Sequence, residues 1–119
     1  MPQVLALVDD LIFQAKMQET ARLVGVELRA CSTAEALLSE AAKNAPKLVI
    51  VDLNARNNPL SAIEQMQATA RDIPMVAFLS HVQVDLAERA RAAGCRAVLP
   101  RSQFTRDLAT ILAQAKSQF

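Results

Sequence analysis

The chain has 119 residues and a net charge of +1, from 13 basic and 12 acidic side chains. Its length suits one domain spanning residues 1–119, and its balanced charge gives no electrostatic reason for a nucleic-acid or membrane partner. Hydrophobic residues make up 52% but aromatics only 3%, so the core must be built from Ala, Leu, Val and Ile with Phe13, Phe78 and Phe104.

Val4-Leu5-Ala6-Leu7-Val8 is an uninterrupted apolar run that ends in Asp9-Asp10, the pattern of a buried strand tipped with carboxylates. From Ile12 the period changes. Phe13, Met17, Thr20, Ala21 and Val24 fall on one helical stripe, and Gly25 supplies the stop. Val26 to Ala30 alternates and reads as an edge strand, because Glu27 and Arg29 need solvent. Ser32-Thr33-Ala34-Glu35 has capping-box spacing with Ser32 as the cap, and predicts a helix to about Lys43.

Asn44-Ala45-Pro46 breaks that helix and leads into Lys47-Leu48-Val49-Ile50-Val51-Asp52-Leu53, a buried parallel strand with Asp52 at its tip. A polar loop, Asn54 to Pro59, and a short helix through Leu60, Ile63 and Met66 follow. Met75 to Leu79 is the next apolar strand, with Ser80-His81 at its end. Asp85 to Ala93 reads as a helix closed by Gly94, with Leu86, Ala90 and Ala93 inward. Cys95 to Pro100 gives the last strand, with Arg101-Ser102 at its tip, and Leu108, Ile111, Leu112 and Ala115 mark the final helix.

Strands alternating with helices predict an α/β fold: a flavodoxin-like, doubly wound parallel sheet of five strands with five helices and right-handed crossovers. In the order 2-1-3-4-5, the tips bearing Asp9-Asp10, Asp52, Ser80-His81 and Arg101 converge at the carboxyl edge of the sheet, where such folds place their sites. Carboxylates gathered there repel one another unless a cation intervenes, and a hard divalent ion such as Mg²⁺ is a natural occupant. A metal-bound carboxylate can then act as nucleophile toward a phosphoryl group, with the ion and Arg101 offsetting the charge on its oxygens.

The isolated Cys31 and Cys95 lack CxxC spacing and read as small buried hydrophobes in a reducing compartment. With neither a basic, apolar leader nor a spanning segment, the expected location is cytoplasmic. His81 has no nucleophile partner by motif and reads as a surface or hydrogen-bonding residue.

At this point the sequence resembles the receiver domains of two-component response regulators, of the single-domain chemotaxis type. The resemblance lies in Leu-Val-Asp9-Asp10, in Leu-Val-Ile-Val-Asp52-Leu, in Pro74 opening the fourth strand, and in Ala-Ala-Gly94 followed by a basic strand tip. It implies Asp52 as phosphoacceptor in a phosphorelay, Mg²⁺ held by Asp9, Asp10 and Asp52 with Asp10 the closer ligand, and the backbone carbonyl of Asn54 completing the metal site. It also implies a histidine kinase or another signalling protein as partner, or a second copy of the chain pairing through the fourth helix, fifth strand and fifth helix. Leu86, Val98 and the outer face of the last helix are the candidates for that surface.

The departures from the family pattern are specific. Arg101 stands where the family has lysine, and Ser102 follows it where proline is usual. The switch hydroxyl of the fourth strand falls on Leu79 by ungapped counting, and on Ser80 only with a shift of one residue. Val98 replaces an aromatic residue, and the loop after Asp52 offers Arg56 and Leu60 instead of the Met-Pro and Gly pattern. Arg56 either screens the pocket or is a solvated loop residue. Two readings follow: a phosphorylatable receiver, or a pseudo-receiver that binds proteins independently of phosphate. A metal-dependent phosphatase or cofactor-binding protein fits poorly, since Gly25 and Gly94 are the only glycines and no Gly-rich phosphate loop can form.

Overall fold

A computed structural model of the chain describes residues 2–56, 58–80 and 83–116. Each apolar run becomes a strand and each 3.6-residue stripe a helix: β1 (Val4–Leu7), α1 (Leu11–Val24), β2 (Leu28–Cys31), α2 (Ala34–Asn44), β3 (Leu48–Asp52), α3 (Pro59–Thr69), β4 (Met75–Leu79), α4 (Val84–Ala92), β5 (Ala97–Pro100) and α5 (Arg101–Lys116). The strands form one parallel sheet in the order β2-β1-β3-β4-β5, the order expected from the sequence. Val4 stands opposite Leu28 and Leu48, Asp52 opposite Phe78, and Leu79 opposite Pro100.

Both faces of the sheet are covered, which is why its strands are apolar without alternation. On one face, Phe13, Met17 and Ala21 of α1 and Phe104, Leu108, Ile111 and Leu112 of α5 pack on Ala6, Ile50 and Phe78. On the other, Leu37, Ile63, Met66 and Ala90 of α2, α3 and α4 pack on Leu5, Leu7, Val49, Val51 and Ala77. All five residues of β3 are buried, Asp52 included.

The elements differ from expectation at their ends. The cap of α2 is Thr33, whose hydroxyl accepts the Ala36 N–H at 3.1 Å, not Ser32, because the helix begins one residue later than the capping-box spacing suggested. β2 begins at Leu28 and β5 at Ala97, since these edge strands pair on one side only and extend only as far as β1 and β4 match them. Pro100, which lacks an N–H, is tolerated as the last residue of such an edge strand. Arg101 is therefore not the tip of a strand but the first residue of α5, which follows β5 with no loop between.

Gly25 ends α1 in the left-handed region at φ 92°, with its N–H donated to the Ala21 carbonyl. A β-carbon there would meet only the end of the Lys116 side chain, its Nζ at 3.1 Å and Cε at 3.7 Å, so the main penalty of a side chain is one of backbone conformation. Gly25→Ala is expected to cost roughly 1–2 kcal/mol, read as a shifted urea midpoint with an unchanged slope. Cys31 and Cys95 are buried, free thiols, and burial pushes the Cys95 pKa up to about 11. Both are inert packing residues under ordinary conditions. Among the described residues no helix is long and apolar enough to cross a membrane.

Candidate functional site

The carboxyl ends of β1, β3 and β4 and the start of α5 meet at one edge of the sheet, and the sequence-predicted residues gather there. Asp10 stands just before α1 as its N-cap. Its Oδ1 accepts the N–H groups of Ile12 at 3.0 Å and Phe13 at 3.1 Å, and its Oδ2 accepts Arg101 Nη2 at 3.1 Å. Those amides, the Phe13 bond above all, and the Arg101 guanidinium hold its carboxyl below the ordinary carboxylate range. An aspartate directly before an amphipathic stripe is an N-cap signature, so this role was open to sequence reading.

Asp9 turns the other way. Its Oδ2 accepts the backbone N–H of Arg56 at 3.0 Å and so ties down the loop after β3. Arg56 acts here through its amide, with its side chain exposed. Asp52, 5% exposed, accepts the Asn54 N–H on Oδ1 at 2.9 Å. Burial is the main cause of its raised pKa. The Asn54 amide and Arg101 oppose that rise, while Asp9 and Asp10 add to it.

Arg101 meets aromatic rings as well as the Asp10 carboxylate. The guanidinium carbon lies 4.3 Å from the centroid of the Phe13 ring and 5.8 Å from that of Phe78. Those rings belong to a trio in which Phe13 and Phe78 are 5.2 Å apart, and Phe78 and Phe104 stack at 4.4 Å. The Nε atom is buried with no hydrogen-bond partner, and the guanidinium meets an acid through Nη2, on Asp10.

Leu79 is the last, buried residue of β4, and Ser80 lies beyond the strand. Ser80 donates both its N–H, at 2.6 Å, and its hydroxyl, at 2.9 Å, to Asn54 Oδ1, while Asn54 Nδ2 donates to Gln83 Oε1 at 3.0 Å. This clamp between the β3–α3 and β4–α4 loops has no sequence signature, because its members come from separate segments. His81 lies outside the described residues.

Leu79 and Val98 line a groove of about 180 Å³ between α4 and β5, with Gln83, Val84, Ala87, Arg91 and Pro100. Val98 is therefore a buried wall residue rather than part of the outer surface, since strand alternation turns it inward against β4 and α4. Leu86, half-buried, lines the adjoining depression against α3 instead. Among the described residues the exposed large apolar side chains are Leu11, Ile12 and Leu23 of α1 and Val84 of α4; none lies on α5.

Mg²⁺ takes near-octahedral oxygen ligands and several waters. As arranged, these residues do not fit it: both Asp10 oxygens are engaged, a guanidinium bonds one of them, and among the described residues no three His, Cys, Asp or Glu side chains form a metal-holding group.

This architecture is the fold of response-regulator receiver domains. The receiver domain of NtrX from Brucella abortus superposes with a TM-score of 0.82 at 18% identity, covering 97% of this chain and 99% of that one. A response regulator receiver domain protein from Clostridium thermocellum superposes at 0.83 and 16% identity, covering 97% and 94%. Against NtrX from Brucella abortus in complex with ADP, the match covers 95% of this chain and 26% of that one, at a TM-score of 0.78 and 18% identity, so this chain spans about a quarter of that protein. No protein-family model and no curated protein matches the chain.

Proposed function

We propose that the chain is a receiver-type signalling domain that acts by binding another protein, independently of phosphorylation at Asp52. The observation that carries this reading is the end of β4. A phosphoryl group on Asp52 brings oxygens that need donors, yet Leu79 offers none, and the Ser80 hydroxyl and amide are both directed to Asn54. The groove between α4 and β5, beside the exposed Val84, is the surface assigned to the partner, whether another signalling protein or a second copy of the chain. This reading gives the domain a non-enzymatic, cytoplasmic role and assigns it neither nucleic acid nor membrane as partner.

A second reading keeps Asp52 as the phosphoacceptor for a histidine kinase. It is favoured by one observation: among the described residues Asp52 Oδ2 accepts no hydrogen bond and is chemically uncommitted. The two are separated by incubating the full chain with Mg²⁺ and acetyl phosphate, or with beryllofluoride, beside Asp52→Asn. Intact-mass spectra are expected to show no adduct on either chain. A mass gain that the substitution abolishes would establish the second reading in place of the first.

A further inference from the structure

We infer that Arg101 is the resident cation of the acidic site, seated on the Asp10 oxygen that a divalent ion would need, so that arginine and metal exclude one another. The inference deepens the receiver-type reading above and rests on it for the site's identity. It names the cation that pairs with Asp10 and acts through its charge on Asp52.

Asp10 has two oxygens and one of them is fixed by the fold. Oδ1 caps α1 through the Ile12 and Phe13 amides, and withdrawing it would leave two helix-terminal donors without that partner. A metal ion must therefore bind through Oδ2, where Arg101 Nη2 already sits at 3.1 Å. The guanidinium is held there by its charge on Asp10 and by the Phe13 ring, over which its central carbon lies at 4.3 Å. A planar, weakly hydrated cation suits that seat. A lysine ammonium at the same position has no plane to stack and a strong preference for water.

Position and chemistry thus combine. Arg101 follows β5 directly as the first residue of α5, which places it across from Asp10, 91 residues earlier. Phe13, three residues after the N-cap aspartate, supplies the platform from α1.

The test is a titration of the full chain with Mn²⁺, followed by paramagnetic broadening of amide resonances, and with Mg²⁺, followed by calorimetry, with no phosphodonor present. The wild-type chain is expected to show no saturable site near Asp9, Asp10 and Asp52. Arg101→Lys and Arg101→Ala are expected to acquire one, with affinity raised roughly tenfold or more. Adding Asp10→Asn to either variant is expected to remove it. Saturable wild-type binding at these residues would overturn the inference, and so would variants that remain as blind to metal as the wild type. Circular dichroism identifies any variant that fails to fold, and Arg101→Lys, which keeps the charge, decides if Arg101→Ala does. Wild-type protein that becomes phosphorylated on Asp52 yet binds no ion would sink the phosphorylation-independent reading and leave the resident cation standing.

Discussion

Phe78→Ala is expected to destabilise the chain by about 3–5 kcal/mol, the range for removing a large aromatic from a packed core. Phe78 is 1% exposed and contacts both other rings of the trio, Phe13 and Phe104. Single domains are stable by about 5–15 kcal/mol, and such a loss takes a large share of that. Chemical denaturation followed by circular dichroism measures it. Phe78 also stands opposite Asp52 in the sheet and forms part of the support beneath Arg101. The substitution should therefore loosen the guanidinium as well as the core. A cost below about 1 kcal/mol would mean that the site collapses around the vacancy and that the trio does not hold Arg101 as a unit.

Asp52→Asn should have the opposite sign. Burial raises the Asp52 pKa above its ordinary value of 3.8, so the folded state binds this proton more tightly than the unfolded state does. At neutral pH the buried carboxylate is thus a net cost, which the amide removes while keeping an oxygen for the Asn54 N–H. The variant is expected to be the more stable at neutral pH. Its advantage should shrink as pH falls through the folded-state pKa and disappear below about 3.8, where the wild-type side chain is protonated in both states. Asp10 works against this trend. Its folded pKa is depressed, so its contribution is present above 3.8 and is lost as pH falls from there through the lower folded value. Urea unfolding of both chains across this pH range reads the difference directly. If Asp52→Asn proved less stable at neutral pH, Arg101 and the Asn54 amide would outweigh desolvation, and the carboxylate would be a stabilising partner of the cation.

These opposed shifts show how neighbouring carboxylates take different roles. Asp10 is half exposed and faces two helix amides and a guanidinium. Asp52 is enclosed by the sheet and has one amide. Composition treats them alike, but solvation and donors separate them.

Much of the fold was legible in the sequence because its signals are local. Strands covered on both faces appear as unbroken apolar runs, helices as stripes such as Leu108, Ile111, Leu112 and Ala115, and breakers such as Gly25 and Pro46 stand between them. Five strands alternating with helices then leave few chain paths, and the acidic tips follow from where the runs end. The element ends were less legible. Thr33 displaced Ser32 as the cap, β5 lost Cys95 and Arg96 at its start, and α5 began at Arg101 directly after Pro100, because pairing partners and helix starts are decided by neighbours rather than by composition.

By itself, then, the sequence determined the alternation of strands and helices and the residues at the strand ends, and with a flavodoxin-like order these bring Asp9, Asp10, Asp52 and Arg101 to one edge. Only the tertiary structure decided what the four do to one another. It put a guanidinium on Asp10 from 91 residues away, laid it over Phe13, and spent the Ser80 donors on Asn54. Ion pairs, ring stacking and loop clamps join residues remote along the chain and depend on distances of a few ångströms. A linear pattern can bring such groups to the same pocket, but the packing of α1, α5 and the loops chooses which atoms meet.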